Sequence, residues 1–147
     1  MKVLAKSIYA HHDNDTASDL YTYIARRLYR EEAPSTKNDK GVYLISSEFP
    51  YIVYKVISDV PIGLRYEVTD DEILRIQFDI WSNKNGAGQS EDIYEAMKKK
   101  YDNCYKDLVI TGYKCVYFRR DIARLNKDPD TGYWRYIVDY RTLIQKT

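Results

Sequence analysis

The chain has 147 residues, and its 23 Lys and Arg against 22 Asp and Glu give a formal net charge of +1 at pH 7. This length fits one domain over residues 1–147 and suffices to bury a sizeable core. The near-zero charge excludes a polybasic nucleic-acid binder, and the 44% of hydrophobic residues exclude a disordered tail. The apolar runs are far shorter than a membrane span, so we expect no membrane partner.

Tyrosine dominates the aromatic residues, with 16 Tyr beside 3 Phe and 2 Trp. A tyrosine joins a large apolar ring to a polar hydroxyl and is enriched at protein interfaces. Cys104 and Cys115 form neither a disulfide framework nor a CxxC metal motif. We expect both to be reduced thiols that pack in the interior. The composition therefore favours a protein that acts through contact.

Two helices are predicted in the first third of the chain. The first covers Lys2–His12. The second begins at a capping box over Thr16–Asp19. Behind this box, three apolar residues repeat at i, i+4 and i+8 and form one stripe of an amphipathic helix: Leu20, Ile24 and Leu28. The polar residues 34–41 predict a loop that ends this part.

After this loop the apolar residues alternate, which predicts strands over residues 42–45, 51–58 and 73–82, with a turn at Pro61 and Gly63. The third of these strands has the clearest pattern. One face carries Leu74, Ile76, Phe78 and Ile80, and the other carries Arg75, Gln77 and Asp79.

A further helix and a closing hairpin complete the chain. Ser90 predicts the helix N-cap, and the apolar face of this helix holds Ile93, Met97 and Tyr101. Residues 113–125 and 133–144 alternate around a turn at Asp128–Gly132. In the first arm we place Val116, Phe118 and Ile122 on one face and Cys115, Tyr117, Arg119 and Asp121 on the other. In the return arm we place Trp134, Tyr136, Val138 and Tyr140 opposite Arg135, Asp139 and Arg141.

The order of elements predicts an α+β fold. We expect an antiparallel β-sheet of about five strands, with two to three helices packed mainly on one face. No internal repeat or second domain is expected.

Groups that would support catalysis or metal binding are few. His11 and His12 are adjacent, so on a helix they point about 100° apart and chelate poorly; we expect them to be exposed. The densest acidic cluster precedes the third strand, and carboxylates of this kind can hold Mg²⁺. A solvated turn is the commoner origin of such a cluster, so we expect no enzyme, no metal and no cofactor. The alternative is a metal-dependent phosphohydrolase that uses Asp70, Asp71, Glu72 and Asp79.

Basic and aromatic residues interleave in the closing hairpin, where they could track a nucleic-acid backbone and stack bases. A nucleic-acid-binding accessory module is therefore a second alternative. Acidic neighbours would repel phosphate: Asp121, Asp128, Asp130 and Asp139. Ion pairing within the sheet or between subunits is favoured, and we expect no specific nucleic-acid partner.

Three sequence blocks follow one another in order: P-Y-I-V-Y at residues 50–54, Q-F-D-I-W-S at 77–82 and V-D-Y-R at 138–141. Their order and spacing resemble the tail completion, or tail terminator, proteins of long-tailed bacteriophages, from about Gly41 onward. The stretch from His11 to Lys40 is longer and richer in tyrosine than the single N-terminal helix expected of that family. The family is structural, so the resemblance brings no catalytic residues.

The resemblance implies a virion protein of the head–tail neck, present in the host cytoplasm during assembly. Its expected partners are copies of itself in a hexameric ring (in solution or only on the tail), the tail tube protein and the head–tail connector protein. Such a ring caps the head-proximal end of the tube and stops its polymerisation. A closed ring needs two different complementary faces on each subunit. As interface residues we nominate the charges Arg119, Arg120, Arg124, Asp139 and Arg141 and the aromatic anchors Tyr113, Tyr117 and Trp81.

Overall fold

A computed structural model describes residues 2–33, 35–37, 43–45, 49–64 and 67–147. Within these residues the chain forms three α-helices: α1 (Lys2–Asp13), α2 (Asp19–Ile24) and α3 (Gly88–Tyr101). A short 3-10 helix follows α3 at Cys104–Lys106. The described strands are β1 (Leu28–Arg30), β2 (Ser35–Lys37), β3 (Tyr43–Ile45), β4 (Tyr51–Leu64), β5 (Glu67–Ser82), β6 (Tyr113–Lys127) and β7 (Trp134–Lys146).

The main sheet has five strands in the order β1-β4-β5-β7-β6, and β2 pairs with β3 in a separate two-stranded sheet. Neighbouring strands of the main sheet are antiparallel, except that β1 runs parallel to β4. The predicted α+β class with about five strands is confirmed, with a mixed sheet in place of a purely antiparallel one. Among the described residues, no helix combines the length and the apolar character that a membrane-spanning helix needs.

The alternation of β5 places its apolar residues in the core, as predicted. Leu74, Ile76, Phe78 and Ile80 are all 0% exposed. The helices cover this inner face, because buried residues of α1, α2 and α3 belong to the same apolar cluster as these four. The opposite face of β5 points away from the described helices and carries its polar residues.

The predicted helix through Leu28 is wrong, because α2 ends at Ile24. Ser18, rather than Thr16, is the N-cap, and its Oγ accepts a bond from the Tyr21 amide at 3.1 Å. Ala25 then takes a φ of 48°, which turns the chain out of the helix and into β1. Leu28 is buried in the strand as it would be in a helix, so its i+8 spacing could not distinguish the two.

Two other predictions differ from the structure, at the loop 34–41 and at the start of α3. Within the predicted loop 34–41, the described residues Ser35–Lys37 form β2, whereas 34 and 38–41 lie outside the described residues, as does residue 42 of the predicted first strand. The predicted N-cap Ser90 lies inside α3, where its buried Oγ donates to the Ala87 carbonyl at 2.8 Å.

The predicted turn at Pro61 and Gly63 is also wrong, since β4 continues through both residues to Leu64. Among the described strands, β4 pairs there with β5 alone, because β1 reaches no farther along β4 than Tyr54. Proline is tolerated where no neighbouring strand needs its missing N–H. The acidic cluster Asp70–Glu72 consequently lies within β5 and not in a turn.

Two irregularities in β6 overturn the predicted faces of its first arm. The pairing with β7 shifts between Cys115 and Tyr117 and again between Arg120 and Ile122. Each shift inserts one unpaired residue, and an inserted residue exchanges the faces of everything beyond it. Cys115 is therefore buried with Phe118, whereas Val116 and Ile122, predicted on the apolar face, are 39% and 51% exposed.

Buried tyrosines connect α1 to the sheet and to α3. Tyr101 and Tyr140, predicted as core residues, are both 0% exposed and pack with Phe78 and Phe118 at ring-centroid distances of 5.0–6.1 Å. The Tyr101 hydroxyl donates to the Ile8 carbonyl of α1 at 3.0 Å. The Tyr54 hydroxyl donates to the Ala5 carbonyl of the same helix at 2.9 Å. These bonds satisfy polar groups that burial would otherwise make costly.

Both cysteines are free and buried, which confirms the prediction that they pack in the interior. Burial raises the pKa of the Cys104 thiol to about 12 and also raises the pKa of Cys115. Because the thiolate is the reactive form, both side chains behave as small apolar groups.

The prediction that both histidines are exposed is wrong. His12 is 0% exposed, and its Nε2 lies 2.5 Å from the Ala25 carbonyl oxygen. His11 is half-buried, with its Nε2 at 3.2 Å from the Lys100 carbonyl. A carbonyl oxygen can only accept, so each Nε2 carries the proton that it donates. Burial lowers the pKa of both rings, and the nearby Lys100 charge lowers them further.

We expect the protein to lose stability as the pH falls from 7 to 5.5. A histidine whose folded pKa lies below its unfolded value near 6.5 takes up its proton first in the unfolded chain. The free energy of unfolding then falls by up to about 1.4 kcal/mol per pH unit for each proton. Urea denaturation at several pH values measures this slope. His12→Gln keeps an N–H donor for the Ala25 carbonyl and should reduce the dependence of stability on pH. An unchanged slope in the His11→Gln/His12→Gln variant would contradict the assignment of this dependence to the two histidines.

Candidate interaction surfaces

The face of the main sheet that points away from the described helices, called the outer face below, carries a row of three arginines. Arg119 of β6 is the register partner of Arg141 of β7, which in turn faces Arg75 of β5. We call these three residues the arginine row. Like charges placed directly opposite on neighbouring strands repel each other, so this row needs compensating groups.

Arg75 obtains its compensation within the subunit. Its Nη2 lies 2.5 Å from Oδ2 of Asp139, and the other oxygen of that carboxylate accepts from Gln77 Nε2 at 3.1 Å. Asp139 is only 4% exposed, so its carboxylate is shielded from water.

A second buried carboxylate repeats this arrangement nearer the hairpin turn. Asp79 is 6% exposed and accepts from Arg135 Nη2 at 2.7 Å. The Arg135 guanidinium also lies 5.3 Å from the Trp81 ring centroid, within the range of a cation–π contact. Trp81 thus holds an arginine in place on the outer face.

At the β6 edge of the outer face, fewer of the arginine charges are paired with described carboxylates. Arg141 pairs with Asp121 at 3.1 Å, and Arg119 lies over the Tyr117 ring at 4.8 Å. Arg124 is exposed and forms no ion pair with any described residue. Ile122 lies between these arginines with half of its surface exposed. The result is an apolar residue surrounded by arginines, a composition that is enriched in interface cores.

The two remaining nominated residues lie elsewhere. Arg120 points to the inner side, where it contacts the Tyr94 hydroxyl and pairs with Asp102 at 3.2 Å. Asp102 also accepts from the Tyr140 hydroxyl at 2.6 Å. Tyr113 is half-buried and lines a groove of about 760 Å³ at the start of β6, together with Leu108, Val109, Ile110 and Val116.

Sequence reasoning missed Arg75, Arg135 and Ile122 as members of this surface. The alternation of β5 already placed Arg75 on the polar face. That it lies beside Arg141 depends on the register between β5 and β7, which distant parts of the chain determine. For Ile122, the exposed position follows from the shift in β6 pairing that precedes it.

The acidic residues proposed for a metal site do not converge. Asp71 accepts from Gln145 at 3.2 Å, and its eight-residue separation from Asp79 on β5 amounts to about 26 Å in an extended strand. The side chain of Asp70 lies outside the described residues. Within the part of the chain that is described, no three His, Cys, Asp or Glu side chains are placed to hold a metal ion.

Comparisons with known proteins give one family and one similar fold. The family described as "Tail completion protein gp17" matches residues 16–145. The match therefore begins well before Gly41, where the sequence blocks had placed its start. A chain from the "Virion of native gene transfer agent (GTA) particle" has a similar fold, with a TM-score of 0.68 and 11% identity over 97% of each chain. No curated protein matches the chain in sequence.

We expect Asp139 and Arg124 to differ sharply in their effect on stability. Asp139→Ala leaves Arg75 and Gln77 without their acceptor and should lower the free energy of unfolding by about 1–3 kcal/mol. Arg124→Ala removes no described ion pair and should leave it nearly unchanged. Guanidinium denaturation of the two variants and of the wild type measures the three free energies of unfolding. Equal losses in both variants would show that the buried carboxylate is not what stabilises the outer face.

Proposed function

Because the chain belongs to the family of tail completion proteins, we propose that it forms a hexameric ring on the head-proximal end of a phage tail tube. It is a structural protein of the tail, and its place is the virion. In the proposed role the ring stops polymerisation of the tube and presents a surface to the head. The observation that carries this proposal is the match of the family to nearly the whole chain.

The outer face supports a role in assembly. Ile122 is a large apolar side chain left half exposed, and arginines surround it. Arginine is among the residues whose truncation most often weakens protein interfaces. The arginine row has an excess of positive charge that carboxylates of a neighbour would relieve. Within the part of the subunit that the structure describes, this face is thus incompletely compensated.

The nominated residues divide into two roles in this proposal. Arg119, Arg124 and Arg141 contact a neighbouring subunit directly, with Tyr117 and Trp81 supporting the arginines that lie over them. Asp139 and Arg120 act from inside the subunit by holding Arg75 and β6 in position. The groove beside Tyr113 is a further apolar surface at the start of β6.

The remaining partners follow from the same role. We propose that the ring contacts the tail tube protein on one side and the head–tail connector protein on the other. The chain acts as one domain, without catalytic activity of its own. Assembly takes place in the host cytoplasm, with the ring closing in solution or on the end of the tube.

We expect that tail tubes assembled without this protein continue to grow, because nothing closes their head-proximal end. Adding the purified protein should fix their length and place a ring at one end of each tube. Negative-stain microscopy measures both the length distribution and the end structure. Tubes that grow to the same lengths with and without the protein would refute the proposal.

A DNA-cellulose column separates this role from the nucleic-acid alternative. A protein that binds phosphate through several arginines loses affinity steeply with salt. Passage of the wild-type protein through the column at low salt supports the structural role. Salt-dependent retention that Arg124→Glu abolishes would favour the alternative.

A further inference from the structure

A second charged surface lies on the helical layer, in a groove of about 310 Å³ between α2 and α3. We call it the α2–α3 groove. Its lining includes Asp19, Tyr23, Asp92, Glu95 and Lys99. Tyr23 is 38% exposed, so the groove combines an accessible aromatic ring with an acidic margin.

The carboxylates of this groove are only partly neutralised within the subunit. Lys99 pairs with Asp19 at 3.0 Å, and Lys98 pairs with Glu95 at 2.5 Å. Asp92 is exposed and has no ion pair among the described residues, as is also true of its neighbour Glu91. Among the described residues, Asp92 therefore leaves uncompensated negative charge in the groove, in the N-terminal half of α3.

The α2–α3 groove and the outer face have complementary properties. The outer face offers exposed Ile122 beside Arg124, whose charge is unpaired in the described structure. The groove offers exposed Tyr23 beside Asp92, a carboxylate that is also unpaired there. Opposite charges arranged around apolar contacts favour association and fix the orientation of the partners.

The two surfaces lie on different layers of the subunit. The apolar side of α3 packs on the inner face of the sheet through Ile93 and Met97, both 0% exposed. The groove therefore opens on the side of α3 that points away from the sheet. A contact between two different surfaces of identical subunits is heterologous, and contacts of this kind generate rings when the rotation closes.

We propose that the outer face of one subunit docks on the α2–α3 groove of the next copy of the same chain. This inference rests on the proposed function, because it names the two faces that the ring would join. A symmetric contact of two outer faces would instead bring Arg119, Arg124 and Arg141 against their own copies. Like-charge juxtaposition of this kind is costly.

Charge reversal on each surface tests the pairing. Arg124→Glu and Asp92→Arg should each raise the protein concentration needed for half-assembly at least about tenfold. An equimolar mixture of the two variants should assemble again, because each reversed surface then meets its complement on the other variant. The double variant in one chain should recover as well. Sedimentation velocity and negative-stain microscopy, with and without tail tubes, measure assembly in each case.

Two exposed charges outside both surfaces provide matched controls. Lys6→Glu on α1 and Glu32→Arg after β1 make the same changes of charge and should assemble like the wild type. Recovery in the mixture also distinguishes a broken contact from a misfolded subunit, since mixing cannot refold either variant.

The outcomes separate the inference from the function on which it rests. Suppose that the wild type forms a ring. Single variants that assemble like the wild type, or a mixture that stays unassembled, would then overturn the pairing of these two faces. Failure of the wild type to assemble, both alone and on tubes, would overturn the proposed function as well. Single variants that assemble normally but lose retention on DNA would assign the arginines to nucleic acid instead.

Discussion

The packing of α1 against the sheet depends on hydroxyl groups at the ends of buried aromatic rings. Tyr54 of β4 and Tyr101 of α3 both donate to carbonyls of α1, while their rings fill the core around Phe78. A phenylalanine in either position would fill the same space without the bond. Because burial removes a hydroxyl from water, these two contacts fix where α1 lies and are costly to break. The tyrosine content of the chain is therefore in part a requirement of its core.

With the described helices on one side, the opposite side of the sheet buries apolar residues of its own: Tyr51, Val53 and Ile137. Beside them lie two carboxylates that form ion pairs with arginines on neighbouring strands. Asp79 and Asp139 each lie beneath an arginine that leaves part of its guanidinium in water. A face built in this way is stable in the isolated subunit and still presents cations to a partner. The same residues thus serve both the fold and the proposed assembly.

Local patterns were sufficient to predict α1, the core face of β5, the turn at Asp128–Gly132 and the α+β class. In each case the deciding interactions are close in sequence, such as the carboxylate of Asp128, which accepts from the Asp130 amide at 3.0 Å. The failures share a different cause. Leu28 lies in a strand because β4, more than twenty residues later, pairs with it. Likewise the outer face could be described from alternation, whereas the arginine row depends on register between strands distant in sequence.

The burial of both thiols makes the natural chain a ready background for site-directed labelling. Cys104 and Cys115 are each 4% exposed, and their raised pKa values keep the reactive thiolate scarce. A single cysteine introduced on the surface would therefore be modified well before either of them. Conversely, modification of the native pair requires the sheet and its helices to separate. Modification of Cys104 and Cys115 in the unsubstituted protein therefore reports opening of the interior at each of these two positions.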